Sequence, residues 1–151
     1  MKDTPDFDAD RRAWMGLIAC APAGRVAALL DGATARPAFV WLRAPEFGSA
    51  MVQGRTGASG APFNLGEMTV TRCALRLTGG EVGHAYLQGR RRADAEAAAL
   101  VDALMQTGAA GDLRAHILDS LAAEAEARRE TRAGKAAATK VDFFTMMRGE
   151  A

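Results

Sequence analysis

Apolar positions recur at helical spacing towards both ends of the chain and alternate with polar ones in its middle. From Asp8 or Asp10, an aspartate can serve as N-cap, and Trp14, Leu17 and Ile18 share one face of a predicted amphipathic helix. Pro22 breaks that pattern and suits the first turn of a second short helix carrying Val26, Leu29 and Leu30, which Asp31-Gly32 should end. Residues 38–43 and 49–55 are short β-prone runs, and Ala44-Pro45-Glu46-Phe47-Gly48 between them reads as a hairpin connection. Residues 54–66 hold so much glycine, with one proline, that a loop is expected. In 67–77, Thr71, Cys73, Leu75 and Leu77 fall on one side of a strand, with Val70, Arg72 and Arg76 on the other. Gly79-Gly80 then turns the chain into a strand over 82–90. The expected fold is α+β, a four-stranded antiparallel sheet with helices before and after it.

The helical spacing returns after Arg92. Residues 93–106 are strong helix formers with a stripe of Ala97, Leu100, Val101 and Leu104, which Gly108 and Gly111 interrupt. A further helix starts near Asp112 with Leu113, Ile117, Leu118 and Leu121. From Ala122 to Lys140 no large apolar residue occurs, so this part is helical by propensity with little to hold it to a core. It is expected to project or to lie on a partner. Phe143, Phe144, Met146 and Met147 then gather in a tail over 141–151, read as an extended apolar segment docking to another chain. Residues 1–8 read as a frayed end of a single domain spanning 1–151.

Composition sharpens this picture. Of the 49% hydrophobic residues, 34 are alanine, and only 28 residues are Leu, Ile, Val or Phe. A net charge of +1 argues against disorder, so a globular chain with a thin core and a partner is expected. The balance of 19 basic and 18 acidic residues offers no global footprint for nucleic acid or an acidic membrane. No run approaches the ~18 apolar residues of a membrane span. The acidic N-terminus has no apolar segment of signal-peptide type, so a cytoplasmic protein is expected. Cys20 and Cys73 lack metal-site spacing and read as small buried hydrophobes.

Few residues present themselves for chemistry. The 54–66 loop, with Arg55 and Thr56, could cradle an anion, yet it matches no phosphate-loop motif because a strand follows it. Arg90 belongs to the densest basic run, Arg90-Arg91-Arg92, and is a second candidate for anion contact. An independent phosphate- or nucleotide-binding domain built on this loop with Arg72 or Arg90 is therefore one reading. His84 lies in a strand with no acid beside it, and His116 has no metal-ligand partners at suitable spacing. Arg72 and Arg76 share one strand face, which Arg43 and Arg55 could join, and such a face suits carboxylates from another chain. Trp14, Arg72, Arg76, His84 and the four tail residues Phe143, Phe144, Met146 and Met147 form the expected partner interface.

Read together, WM in the first helix, RTGASGAPFNLGE running into MTVTRCALRL, then GHAYLQGR, AEAAALVDALMQ and KVDFFTMMRG resemble the G subunit of the carbon–phosphorus lyase core complex, the PhnG family. The likeness covers residues 11–20, 54–106 and 140–149 in matching order. It implies a bacterial protein of phosphonate breakdown, assembled with the H, I and J subunits and an ATP-binding-cassette-type subunit. It also implies a supporting role for the I subunit, which transfers ribose 5-triphosphate from ATP to a phosphonate with release of adenine. An iron–sulfur cluster and S-adenosylmethionine serve the J subunit, and no cofactor is implied for this chain. The family pattern often has Asp-x-x-His where this sequence reads Arg91-Arg92-Ala93-Asp94, so no catalytic histidine carries over. The resemblance implies a non-catalytic subunit.

Overall fold

A computed structural model describes residues 7–140; the tail 141–151, with Phe143, Phe144, Met146 and Met147, lies outside the described residues. Helix α1 (Phe7–Ala19) and helix α2 (Arg25–Ala33) precede strand β1 (Phe39–Arg55), strand β2 (Pro62–Leu77) and strand β3 (Val82–Gln88). Helix α3 (Arg92–Leu104), the short α4 (Ala110–Leu113) and α5 (Asp119–Ala138) follow. A wide π turn over Arg114–Leu118 joins α4 to α5 without a break in helical backbone. It turns Leu113, Ile117, Leu118 and Leu121 into the core. Asp31-Gly32 does not end α2, which runs to Ala33, where Thr34 turns extended.

The sheet is antiparallel with three strands in the order β1-β2-β3, not four. The two runs read as separate strands form one 17-residue strand, and the expected hairpin at Ala44–Gly48 lies inside it. Proline is tolerated there because β1 is an edge strand, where a missing N–H breaks no ladder. Register shifts between Trp41 and Arg43 and between Arg43 and Glu46 absorb the irregularity. The glycine-rich 54–66 segment is likewise mostly strand: Gly54 pairs with Phe63, Arg55 with Pro62 and Val52 with Gly66. Only the tip is a turn, closed by left-handed Gly57 (φ 60°) and Ala58 (φ 65°) and by Gly60 N–H donating to Thr56 O.

β3 pairs only with Val70–Arg76 of β2, so β1 and β2 continue past it as a two-stranded ribbon. On the shared part of the sheet, Cys73, Leu75, Leu77, Ala85 and Leu87 point to one face and are buried under the helices. The alternation read from 67–77 is thus the true one. α3 lies directly on this face. A Cβ at Gly83 would stand 1.9 Å from the carbonyl oxygen of Ala99, so only glycine admits the helix so close. Ala95, Ala97, Ala98, Ala99 and Ala103 of α3 are all buried. Ala99 and Ala103 beside Gly83 thus serve a close helix–sheet contact, in which short side chains let two backbones approach. The second half of α5 is exposed from Arg129 onward, as its lack of apolar residues predicts.

Candidate functional site

The centre of the molecule's polar chemistry is Asp102, on α3 and fully buried. Its carboxylate accepts from Arg11 Nε (3.1 Å) and Nη2 (2.7 Å), from Trp14 Nε1 (3.0 Å) and from the backbone N–H of His84 (2.9 Å). Arg11 Nη2 also donates to Val82 O at 3.1 Å. The hydrogen bond to Asp102 raises the Arg11 pKa further above its ordinary value, against the opposing effect of burial. Together these contacts fasten α1 to the outer edge of β3. Trp14, expected at a partner interface, is buried in this chain's own core with its indole N–H bonded to Asp102.

Above this network, two adjoining cavities meet at Met15, His84, Ala85 and Tyr86. One, of about 550 Å³, opens between α1 and β3 beside Asp8, Arg11 and Arg12. The other, of about 500 Å³, runs over the sheet to Leu42, Arg43 and Arg72. The cross-strand pairs Val40–Arg76, Arg43–Ala74, Glu46–Arg72, Ala74–His84 and Arg72–Tyr86 put these side chains on the face away from α3. Glu46 Oε1 accepts from Arg72 Nε at 2.8 Å and lies 3.5 Å from Arg43 Nη1. Arg72, Arg76 and His84, all named from sequence, are thus brought to one face, joined by Arg43. Arg55 is not, since it sits at the ribbon tip with its Nη1 on Gly60 O.

The anion contacts expected of Arg55, Thr56 and Arg90 do not converge. Arg90 and Arg92 stack on the Phe47 ring at 5.3 and 4.6 Å, a cation–π arrangement. Phe47 is eight residues from Arg55 along β1, roughly 26 Å at strand rise. Arg91 and Asp94 form an ion pair. Asp94 Oδ2 accepts from Arg91 Nε at 2.9 Å and from Gly24 N–H at 2.8 Å, which ties the start of α2 to α3. His116 lies on the π turn, its Nδ1 bonded to Asp112 O. No group of three or more metal-ligating side chains occurs among the described residues.

Of the cysteines, Cys73 is buried as expected, with its Sγ on Ala95 O at 3.1 Å, whereas Cys20, also expected to be buried, is exposed. Burial pushes the Cys73 thiol up to about 12. Asp102 itself was not singled out in the sequence. Its signal is an acid next to the apolar stripe of Leu100, Val101 and Leu104, which needs a buried partner, and Arg11 and Trp14 lie one helical turn apart to supply it.

Over residues 9–149 the chain matches the family model described as phosphonate metabolism protein PhnG. It is 44% identical over 142 residues, 94% of this chain and 91% of the relative, to the α-D-ribose 1-methylphosphonate 5-triphosphate synthase subunit PhnG of Rhizobium meliloti (strain 1021). With a match of that extent, the chain belongs to the PhnG family of phosphonate metabolism proteins.

Proposed function

We propose that this chain is a non-catalytic subunit of an α-D-ribose 1-methylphosphonate 5-triphosphate synthase in the cytoplasm, within a carbon–phosphorus lyase core complex. The observation that carries this reading is the correspondence over nearly the whole of both chains with a relative named as a subunit of that synthase. Its partners are the H, I and J subunits, with the I subunit supported most directly and an ATP-binding-cassette-type subunit associated. ATP serves the complex, while the iron–sulfur cluster and S-adenosylmethionine belong to another subunit. The polar network of the described residues, which holds helices to the sheet, supports a scaffold role.

Co-expression with the other core subunits followed by native mass measurement tests the reading. A complex containing this chain is expected, and a lone monomer overturns it. Deleting residues 141–151 should abolish co-purification with the I subunit, because the apolar tail is the docking element expected from sequence. Titration of the isolated chain with ATP and a phosphonate checks the competing nucleotide-binding reading. Weak or no heat is expected; tight binding without partners would favour an independent binding domain.

A further inference from the structure

The sheet face turned away from the helices combines cations with exposed apolar side chains. Arg43, Arg72, Arg76 and His84 alternate onto it with Val40 and Tyr86, both of which are about half exposed, and Glu46 is the acid among them. Glu46 can satisfy Arg72 and approach Arg43, but Arg76 and the His84 ring have no partner among the described residues. An antiparallel sheet can leave one face to water, but such a face ordinarily alternates polar residues outward without an apolar strip between cations.

We infer that this face receives an acidic, amphipathic segment of another synthase subunit, whose carboxylates meet Arg43, Arg76 and His84 while its apolar side lies on Tyr86 and Val40. The inference rests on the subunit reading above and adds to it the surface and the chemistry of the partner. Spacing favours a protein segment over a phosphate ligand. Arg43 and His84 flank Ala74 from the two neighbouring strands, roughly 10 Å apart across two strand spacings, and Arg76 stands two residues further along β2. One phosphate group cannot hold cations so far apart. Acids two turns apart on a helix stand roughly 10.5 Å from each other and can. A second copy of this chain is excluded as the occupant by charge, because a two-fold contact would set this cationic face against itself.

The test uses the full chain co-expressed with the other core subunits, with complex yield measured by native mass spectrometry at two salt concentrations. The double variant Arg43→Glu with Arg76→Glu should lower complex yield about tenfold or more, and Arg43→Gln with Arg76→Gln should lower it less and flatten its salt dependence. The control Arg114→Glu, exposed on the π turn and away from this face, should leave both unchanged. Circular dichroism on each isolated chain reports folding, and should the glutamate pair fail to fold, the glutamine pair decides alone. Wild-type yield from the folded variants overturns the inference and leaves the subunit reading standing. Absence of any wild-type complex removes the subunit reading and this inference with it. If the glutamate pair instead lowers the melting temperature of the isolated chain, and deleting 141–151 removes that effect, the occupant is this chain's own tail and the inference falls.

Discussion

Asp102 shows how one side chain can organise three elements. It carries a charge into a site where the aliphatic part of α3 packs, and four hydrogen bonds make this tolerable. Removing the carboxylate takes away the acceptor of the Trp14 indole N–H, of the His84 N–H and of Arg11 Nε, leaving Arg11 its bond to Val82 O. Asp102→Ala should therefore destabilise the fold by about 3 kcal/mol, measured as a shift in the urea midpoint at unchanged slope. A loss below ~1 kcal/mol would show that water replaces the carboxylate and that the network is not a structural tie. Cys73 makes a second prediction at this scale. Its thiol ionises near 12 in the folded chain against an ordinary value of 9.0, so the folded state holds a proton that the unfolded state releases. The stability this confers is complete below pH 9 and falls as pH rises from 9 towards 12. At pH 8 a thiol reagent should label exposed Cys20 alone, and both cysteines only in denaturant.

Among the elements, the β1–β2 ribbon departs furthest from what periodicity suggests. Past β3 no third strand flanks it among the described residues, and Met51, Phe63 and Leu65 are exposed on it. Isolated two-stranded ribbons are marginal in water. Amides over Met51–Asn64 should thus exchange with solvent far faster than those of Cys73–Leu75, and equal protection would contradict the two-stranded description. Alternation in β2 and the diglycine turn before β3 were legible in the sequence, because burial on one face imposes period two. The continuity of β1 was not. Pro45 and the surrounding bulges imitate a turn locally, and only pairing along the whole length of β2 shows the strand to be unbroken. Glycines at 54, 57, 60 and 66 misled in the same way, since Gly54 and Gly66 lie within strands, and only Gly57 and Gly60 belong to the turn, whose left-handed backbone Gly57 shares with Ala58. The face shared by Arg72 and Arg76 could be read from spacing, while the arrival of His84 and Arg43 beside them depends on register.

At the scale of the whole molecule, the described part divides into a close-packed body and a bare helix end. Trp14 reports the body, and the exposed second half of α5 is held by little beyond helix propensity. Thermal melts of the isolated chain should accordingly lose part of the far-ultraviolet helical signal before the near-ultraviolet signal of buried Trp14. Gly134→Ala, at a position with open space around it, should delay that early phase by stabilising the helix about 0.5–1 kcal/mol, leaving the later one in place. Coincident transitions would mean that α5 is bound to the body along its length. The scarcity of large apolar side chains is compatible with such a body because α3 presses alanines against Gly83, so substitution to larger residues along that contact should lift the helix from the sheet. The edges of the sheet add a last consequence. On β3 the His84 N–H is held by Asp102 and the Val82 carbonyl by Arg11 and Gln106, while β1 is interrupted by Pro45 and two bulges. An intruding strand finds few regularly spaced groups to bond along these stretches, whereas the ribbon past β3 keeps an open edge along Pro62–Met68. Strand-to-strand pairing with other chains is thereby steered away from the three-stranded body and towards the ribbon, while the broad face of the sheet stays open to a partner.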